Sequence, residues 1–281
     1  MADTMRVSVV QINSQSDKQA NLRRAGELID QAAAGGSRLV ALPEYVAFLG
    51  PTADFPDVGE PIPGPTSEFF AGKAREHGIY LLSGSFHEQT DQPGKYYNTS
   101  LLIGPDGNIL ARYRKIHLFD IDISGNVSAN ESNSILPGDD LVTAEIDGHT
   151  AGLSICYDLR FPELYRLLAL AGAEILFVPA AFTLFTGKDH WEVLLRTRAI
   201  ENQAYVIAPG QIGKHDPNNA QCYGNSMIID PWGTVIARAS DREGIATADI
   251  DFDHLKSIRR QLPSLANRRP SAYRERQPSI V

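Results

Sequence analysis

Apolar runs of strand length alternate along the chain with segments whose apolar residues recur every three to four positions. That alternation restricts the fold more than any other property, because strands buried on both faces need helices to cover them. Residues 5–12 read as a strand and 20–34 as a helix with Leu22, Ala25, Leu28, Ile29 and Ala32 on one face. With a second strand over 38–42, a βαβ unit opens the chain. A helix over 66–77 is stopped by Gly78 and followed by a strand over 79–86; strands over 97–103 and 109–114 flank the hairpin turn Pro105-Asp106-Gly107. Further on come a strand over 150–155, a helix over 161–171, a strand over 175–179, and a helix over 189–202 with Val193, Leu194, Thr197 and Ile200 on one face. Strands over 204–208, 226–229, 235–239 and 247–250 follow, with Pro231-Trp232-Gly233 as a second hairpin turn, and then a short helix over 253–260. The polar segment 119–140 has no clear period and is expected to be a long loop, of a length that is often functional. In the absence of a repeat, a low-complexity tract or an interior linker, the expectation is one compact α/β domain over 1–281, with the Arg- and Pro-rich 264–281 as a C-terminal docking tail.

Composition narrows the function classes. Of 281 residues, 26 are Lys or Arg and 34 Asp or Glu, a net charge of −8 that argues against a nucleic-acid surface. Runs free of Lys, Arg, Asp and Glu, such as 175–187, fall well short of the roughly 20 apolar residues a membrane span needs. The first residues pass almost directly into a strand pattern without a secretion signal, so a cytoplasmic protein is expected, and the glycosylation-like triplets at Asn98, Asn126 and Asn130 carry little weight. Two cysteines are too few for a disulfide framework or a thiolate metal site. With no HExxH motif or Cys/His cluster, and no GxGxxG or Walker loop, neither a metal nor a nucleotide cofactor is implied.

Three strand ends carry residues suited to chemistry. Cys156 lies between the strand-like TAGLSI and a turn leading into a helix, the setting of a nucleophile elbow, although a buried core cysteine reads as well. Glu44, in LVALPEY, sits where open α/β sheets form their ligand crevice, and is otherwise an exposed loop glutamate. Lys115 closes ILARYRK, where it can stabilise an oxyanion or blunt an edge strand. Arg160 offers a fork for a substrate carboxylate or a bridge to Glu163. His117 and His190 make a Cys–His dyad conceivable but read better as structural hydrogen-bonding groups, and Cys222, in an AQCYGN loop, reads as a bystander.

Glu, Lys and Cys in this order, within LPEY, YRKIHLFD and ICYDLRFPELYR, resemble the catalytic set of the nitrilase superfamily of carbon–nitrogen hydrolases. The resemblance extends over essentially the whole chain, through ESNSILPGD, HWEVLLRTRAIENQ, YGNSMIIDPWGTV and the RRP of the tail. It implies a four-layer αββα sandwich with subunits paired, as a homodimer or higher homo-oligomer, through helices and the tail. It also implies roles for individual residues: Cys156 as nucleophile, Glu44 as proton shuttle in a poorly solvated pocket, Lys115 with the Tyr157 N–H as oxyanion holders, and Glu131 as the group orienting Lys115. Arg160 and Thr186, or Thr183 in its place, would contact the oxo-acid end of a substrate. ESNS, the TG…HWEVLLR stretch and DPWGTV look closest to the superfamily's amidases that hydrolyse deaminated glutathione to 2-oxoglutarate and cysteinylglycine, with omega-amidase work on 2-oxoglutaramate as the second expectation, a nitrile substrate last, and a non-catalytic binding member as the rival class.

Overall fold

The structure, a computed structural model, describes residues 3–125, 127–215 and 220–272; Asn126, the first residue of its triplet, and the part of the tail beyond residue 272 lie outside the described residues. The chain runs through β1 (Thr4–Gln11), α1 (Lys18–Ala34), β2 (Leu39–Ala41), α2 (Phe55–Val58), α3 (Pro65–His77), β3 (Tyr80–Leu82) and β4 (Phe86–Gln89). It continues through β5 (Tyr96–Ile103), β6 (Ile109–Arg114), β7 (Asp120–Ile123), β8 (Val127–Asn130), β9 (Ile135–Leu136), β10 (Thr143–Ile146) and β11 (His149–Gly152). Then follow α4 (Pro162–Leu170), β12 (Ile175–Phe177), α5 (Leu184–Asn202), β13 (Tyr205–Ala208), β14 (Ile212–His215) and β15 (Ala220–Tyr223). Strands β16 (Met227–Ile229), β17 (Val235–Arg238) and β18 (Gly244–Asp251) and helix α6 (Phe252–Gln261) complete the order.

One sheet is ordered β18-β1-β2-β3-β5-β4, with β6 and β9 also paired to β5; the other is ordered β10-β11-β12-β13-β16-β17. Side-chain alternation makes the layers. In β1 and β2, Val7, Val9, Leu39 and Ala41 enter a core shared with Ala151, Ile175 and Phe177 of the second sheet, whereas Val10 and Val40 pack with Leu22, Leu28 and Ile29 of α1 and Phe70 of α3. On the far side, Leu164 and Leu168 of α4 and Trp191 and Leu195 of α5 cover the second sheet. The result is the four-layer αββα sandwich implied by the resemblance.

Several expectations need correction. The strand over 79–86 breaks between β3 and β4 at Gly84, whose φ of +68° and tight approach to the loop after β2 exclude a continuous strand. The segment 119–140 is no loop: β7 and β8 pair as an antiparallel hairpin, and β9 adds in parallel to β5. Its period is hidden because neither face of that hairpin is fully buried. Helix α5 starts at Leu184 rather than 189, because Thr183 caps it by accepting from the Thr186 N–H at 3.4 Å. Its buried face is Trp191, Leu195, Arg198, Ala199 and Asn202, while Val193 and Ile200 are 64% and 50% exposed. Arg198 tolerates burial because its guanidinium donates to the Leu159 carbonyl at 2.8 and 3.1 Å, so a polar residue occupies a core position that periodicity assigns to apolar ones.

Candidate active site

Each sheet contributes one side of the site. Leu42 and Pro43 carry the chain from β2 to Glu44, and the loop is locked to its neighbour by Val46 N–H to Ser85 O and Tyr45 N–H to Ser85 Oγ, both 3.0 Å. Lys115 is the first residue beyond β6, and its N–H donates to the Asn98 carbonyl of β5 at 2.9 Å. From the second sheet, the chain leaves β11 and turns sharply at Cys156, whose φ of +46° is a conformation a non-glycine residue adopts at a cost of about 1–3 kcal/mol. The surroundings enforce that turn. The Cys156 N–H donates to the Pro179 carbonyl at 2.9 Å, and fully buried Asp158 accepts from Ile155 N–H (2.8 Å), Tyr113 Oη (2.6 Å) and both His117 N–H (3.0 Å) and the His117 ring (2.7 Å).

These turns bring Glu44, Lys115, Glu131 and Cys156 together. Lys115 Nζ, 2% exposed, donates to Glu44 Oε1 at 3.0 Å and Glu131 Oε2 at 2.8 Å. Glu44 Oε2 accepts the Ala181 N–H, just beyond β12 of the second sheet, at 2.8 Å, and Glu44 and Cys156 line the same cavity. Glu131 accepts four further or shared donors: Tyr45 Oη (2.6 Å), Phe119 N–H (2.7 Å), Asn98 Nδ2 (3.2 Å) and Lys115. Burial alone would push the Lys115 ammonium down, but the Glu131 and Glu44 charges outweigh it and hold the ammonium well above its ordinary range. Burial pushes Glu131 up, and the Lys115 charge with the surrounding hydrogen bonds more than reverses it. Burial and the Glu44 charge raise the Cys156 thiol well above its ordinary value, with Lys115 pulling the other way. Burial and charge at this position thus favour the Cys156 thiol over the thiolate.

A cavity of about 440 Å³ opens over this set, a size suited to a small organic molecule. Tyr157, Thr183 and Thr186 line it, the two hydroxyls 2.9 Å apart. Arg160 stands behind that wall, its guanidinium 5.2 Å from the Phe182 ring centroid and 5.8 Å from that of Tyr157, and it faces His190 rather than Glu163. His117 stacks on Phe161 at 3.6 Å and is bound to Asp158, a structural post. Cys222 lies not in a loop but in β15, paired with β14, and lines the cavity wall. Sequence reasoning missed Tyr45, Asn98 and Asp158. Asn98 had a visible signal: Asn98-Thr99-Ser100 is a polar run inside a strand whose flanks are apolar, and all three are fully buried.

A thiol and a carboxylate lining one cavity, with an ammonium held against that carboxylate, at the strand ends of a four-layer sandwich, have the makings of an acyl-transfer hydrolase. Residues 6–260 match the carbon-nitrogen hydrolase family, and the chain belongs to that family; it is a hydrolase of amides. It is 45% identical over 272 residues to the deaminated glutathione amidase of Homo sapiens, covering 95% of this chain and 83% of that protein. It is 42% identical over 270 residues to omega-amidase NIT2 of Mus musculus, covering 96% and 97%. Among solved structures, the C. elegans NitFhit protein superposes with a TM-score of 0.88 at 37% identity, over 97% of this chain and 67% of that one.

Proposed function

We propose that the protein hydrolyses deaminated glutathione to 2-oxoglutarate and cysteinylglycine through a thioester on Cys156. The observation that carries this reading is the buried contact of Lys115 with Glu44 and Glu131, beside the thiol and beneath a cavity lined by Tyr157, Thr183 and Thr186. Glu44 accepts the thiol proton as sulfur attacks the amide carbonyl, returns it to the leaving nitrogen, and then takes a proton from the water that cleaves the thioester. Lys115 and the Tyr157 N–H hold the oxyanion, a single such donor being worth ~3–4 kcal/mol. Glu131 keeps Lys115 charged and in place, and Arg160 with Thr183 or Thr186 takes the oxo-acid end. The identity to omega-amidases makes 2-oxoglutaramate the second substrate.

The same reading includes a cytoplasmic homodimer without a metal or other cofactor, formed through α4 and α5, whose Leu167, Leu170, Val193 and Ile200 are at least half exposed. The chemistry is tested by following 2-oxoglutarate release from deaminated glutathione and from 2-oxoglutaramate in parallel, with Cys156→Ala as blank. Faster turnover of the first amide and none by the variant are expected. Preference for the second makes the protein an omega-amidase, and substantial turnover by folded Cys156→Ala removes the nucleophile assignment.

A further inference from the structure

Besides the Lys115 ammonium, Asn98 is the one side chain among the described residues that touches both carboxylates of the site through a single group. Its Nδ2 lies 2.9 Å from Glu44 Oε1 and 3.2 Å from Glu131 Oε1. The residue is fully buried in the middle of β5, and its Oδ1 has no hydrogen-bond partner among the described residues. An amide that leaves its oxygen unpaired in the interior bears a cost of about 1–3 kcal/mol. Turning the group over would satisfy nothing, since it would set Oδ1 against two carboxylates. The amide is therefore oriented by, and for, its two N–H donors.

The charge balance gives those donors work to do. Glu44 and Glu131 carry two negative charges around one ammonium, so the pair repels across the site and each carboxylate competes for Lys115. One neutral group that donates to both lowers that repulsion without adding a second cation, which would draw the thiol proton away before substrate arrives. We propose that Asn98 is a positioning residue that bridges Glu44 and Glu131 about Lys115 and keeps Glu44 free of a proton, ready to accept the one on Cys156.

This rests on the Cys156–Glu44 reading, but its test needs no amide substrate. Iodoacetamide alkylates Cys156 by forming a C–S bond and expelling iodide while the thiol proton passes to Glu44, so the acid limb of the rate against pH reports how readily Glu44 takes up a proton. A carboxylate that has lost an N–H donor holds a proton more readily. In the full-length chain, Asn98→Leu keeps the side-chain volume and the Asn98 carbonyl that anchors the Lys115 backbone, and removes only the amide. Its acid limb should move up by about one pH unit, so that alkylation of Cys156 at a pH below both limbs, followed by peptide mass, is roughly tenfold slower. Asn98→Ser, whose hydroxyl is too short to bridge, should shift the limb the same way, which keeps the test available if the leucine variant folds poorly. Profiles that overlay that of the wild type, differing only in amplitude, would make Asn98 a packing residue and overturn the proposal. If wild-type Cys156 shows no acid limb at all, the Cys156–Glu44 reading falls and this proposal falls with it.

Discussion

At the scale of single residues, the position of Arg160 makes a kinetic prediction. Its guanidinium rests against the rings of Phe182 and Tyr157, two residues that line the cavity, and the proposed function gives it the substrate carboxylate. Arg160→Lys keeps the charge and loses both the fork and the flat surface that lies on those rings. KM for a 2-oxo acid amide should rise by about tenfold or more with kcat less affected, measured by steady-state kinetics; an unchanged KM would take Arg160 out of substrate binding. The residues proposed for covalent and proton-transfer chemistry, Glu44, Lys115 and Cys156, were legible in the sequence because their types are rare at strand ends and occur in a recognisable order, and the structure brings them to one cavity. Tyr45, Asn98 and Asp158 were not, because their value lies in partners far off in the chain: Tyr45 meets Glu131, and Asp158 collects Tyr113 and His117.

At the scale of elements, most helices and strands followed from period and turn residues: β1, α1 and α3 lie within two residues of expectation at either end, and both Pro-x-Gly turns close hairpins. What escaped was short or two-sided, such as the β7–β8 hairpin with no buried face and the β14–β15 pair that borders the cavity. The break between β3 and β4 shows how an element boundary serves the site. At Gly84 an added Cβ would stand 2.0 Å from the Pro43 carbonyl oxygen, one residue before Glu44. Gly84→Ala should therefore destabilise the fold by more than the roughly 1–3 kcal/mol of backbone strain alone, read from urea unfolding, and should lower activity through displacement of Glu44. Wild-type stability in the variant would mean that the loop after β2 is free to move aside.

For the whole molecule, the sandwich leaves one outer layer incompletely dressed. Leu167 and Leu170 of α4 and Val193 and Ile200 of α5 are apolar residues that the second sheet does not cover. A second copy applied to that layer would bury them at once, and a homodimer is expected by analytical ultracentrifugation. Val193→Glu combined with Leu167→Glu should shift the population toward single chains, whereas a monomeric wild type would remove the pairing from the reading.

The seam between the two sheets has a meaning for the chemistry itself. Glu44 and Lys115 are mounted on one sheet and Cys156 on the other, and the Ala181 N–H on Glu44 is a strut thrown across the join. The distance between Cys156 and Glu44, the proposed nucleophile and base, is thus set by how two slabs of ordinary Val, Leu, Ile and Phe side chains stack. Turnover becomes a gauge of that stacking, sensitive to a slip of an ångström that spectroscopy of helices and strands would pass over. A lesion in the plain hydrocarbon interior, remote from any polar group, will look to the enzymologist like a lesion in the active site.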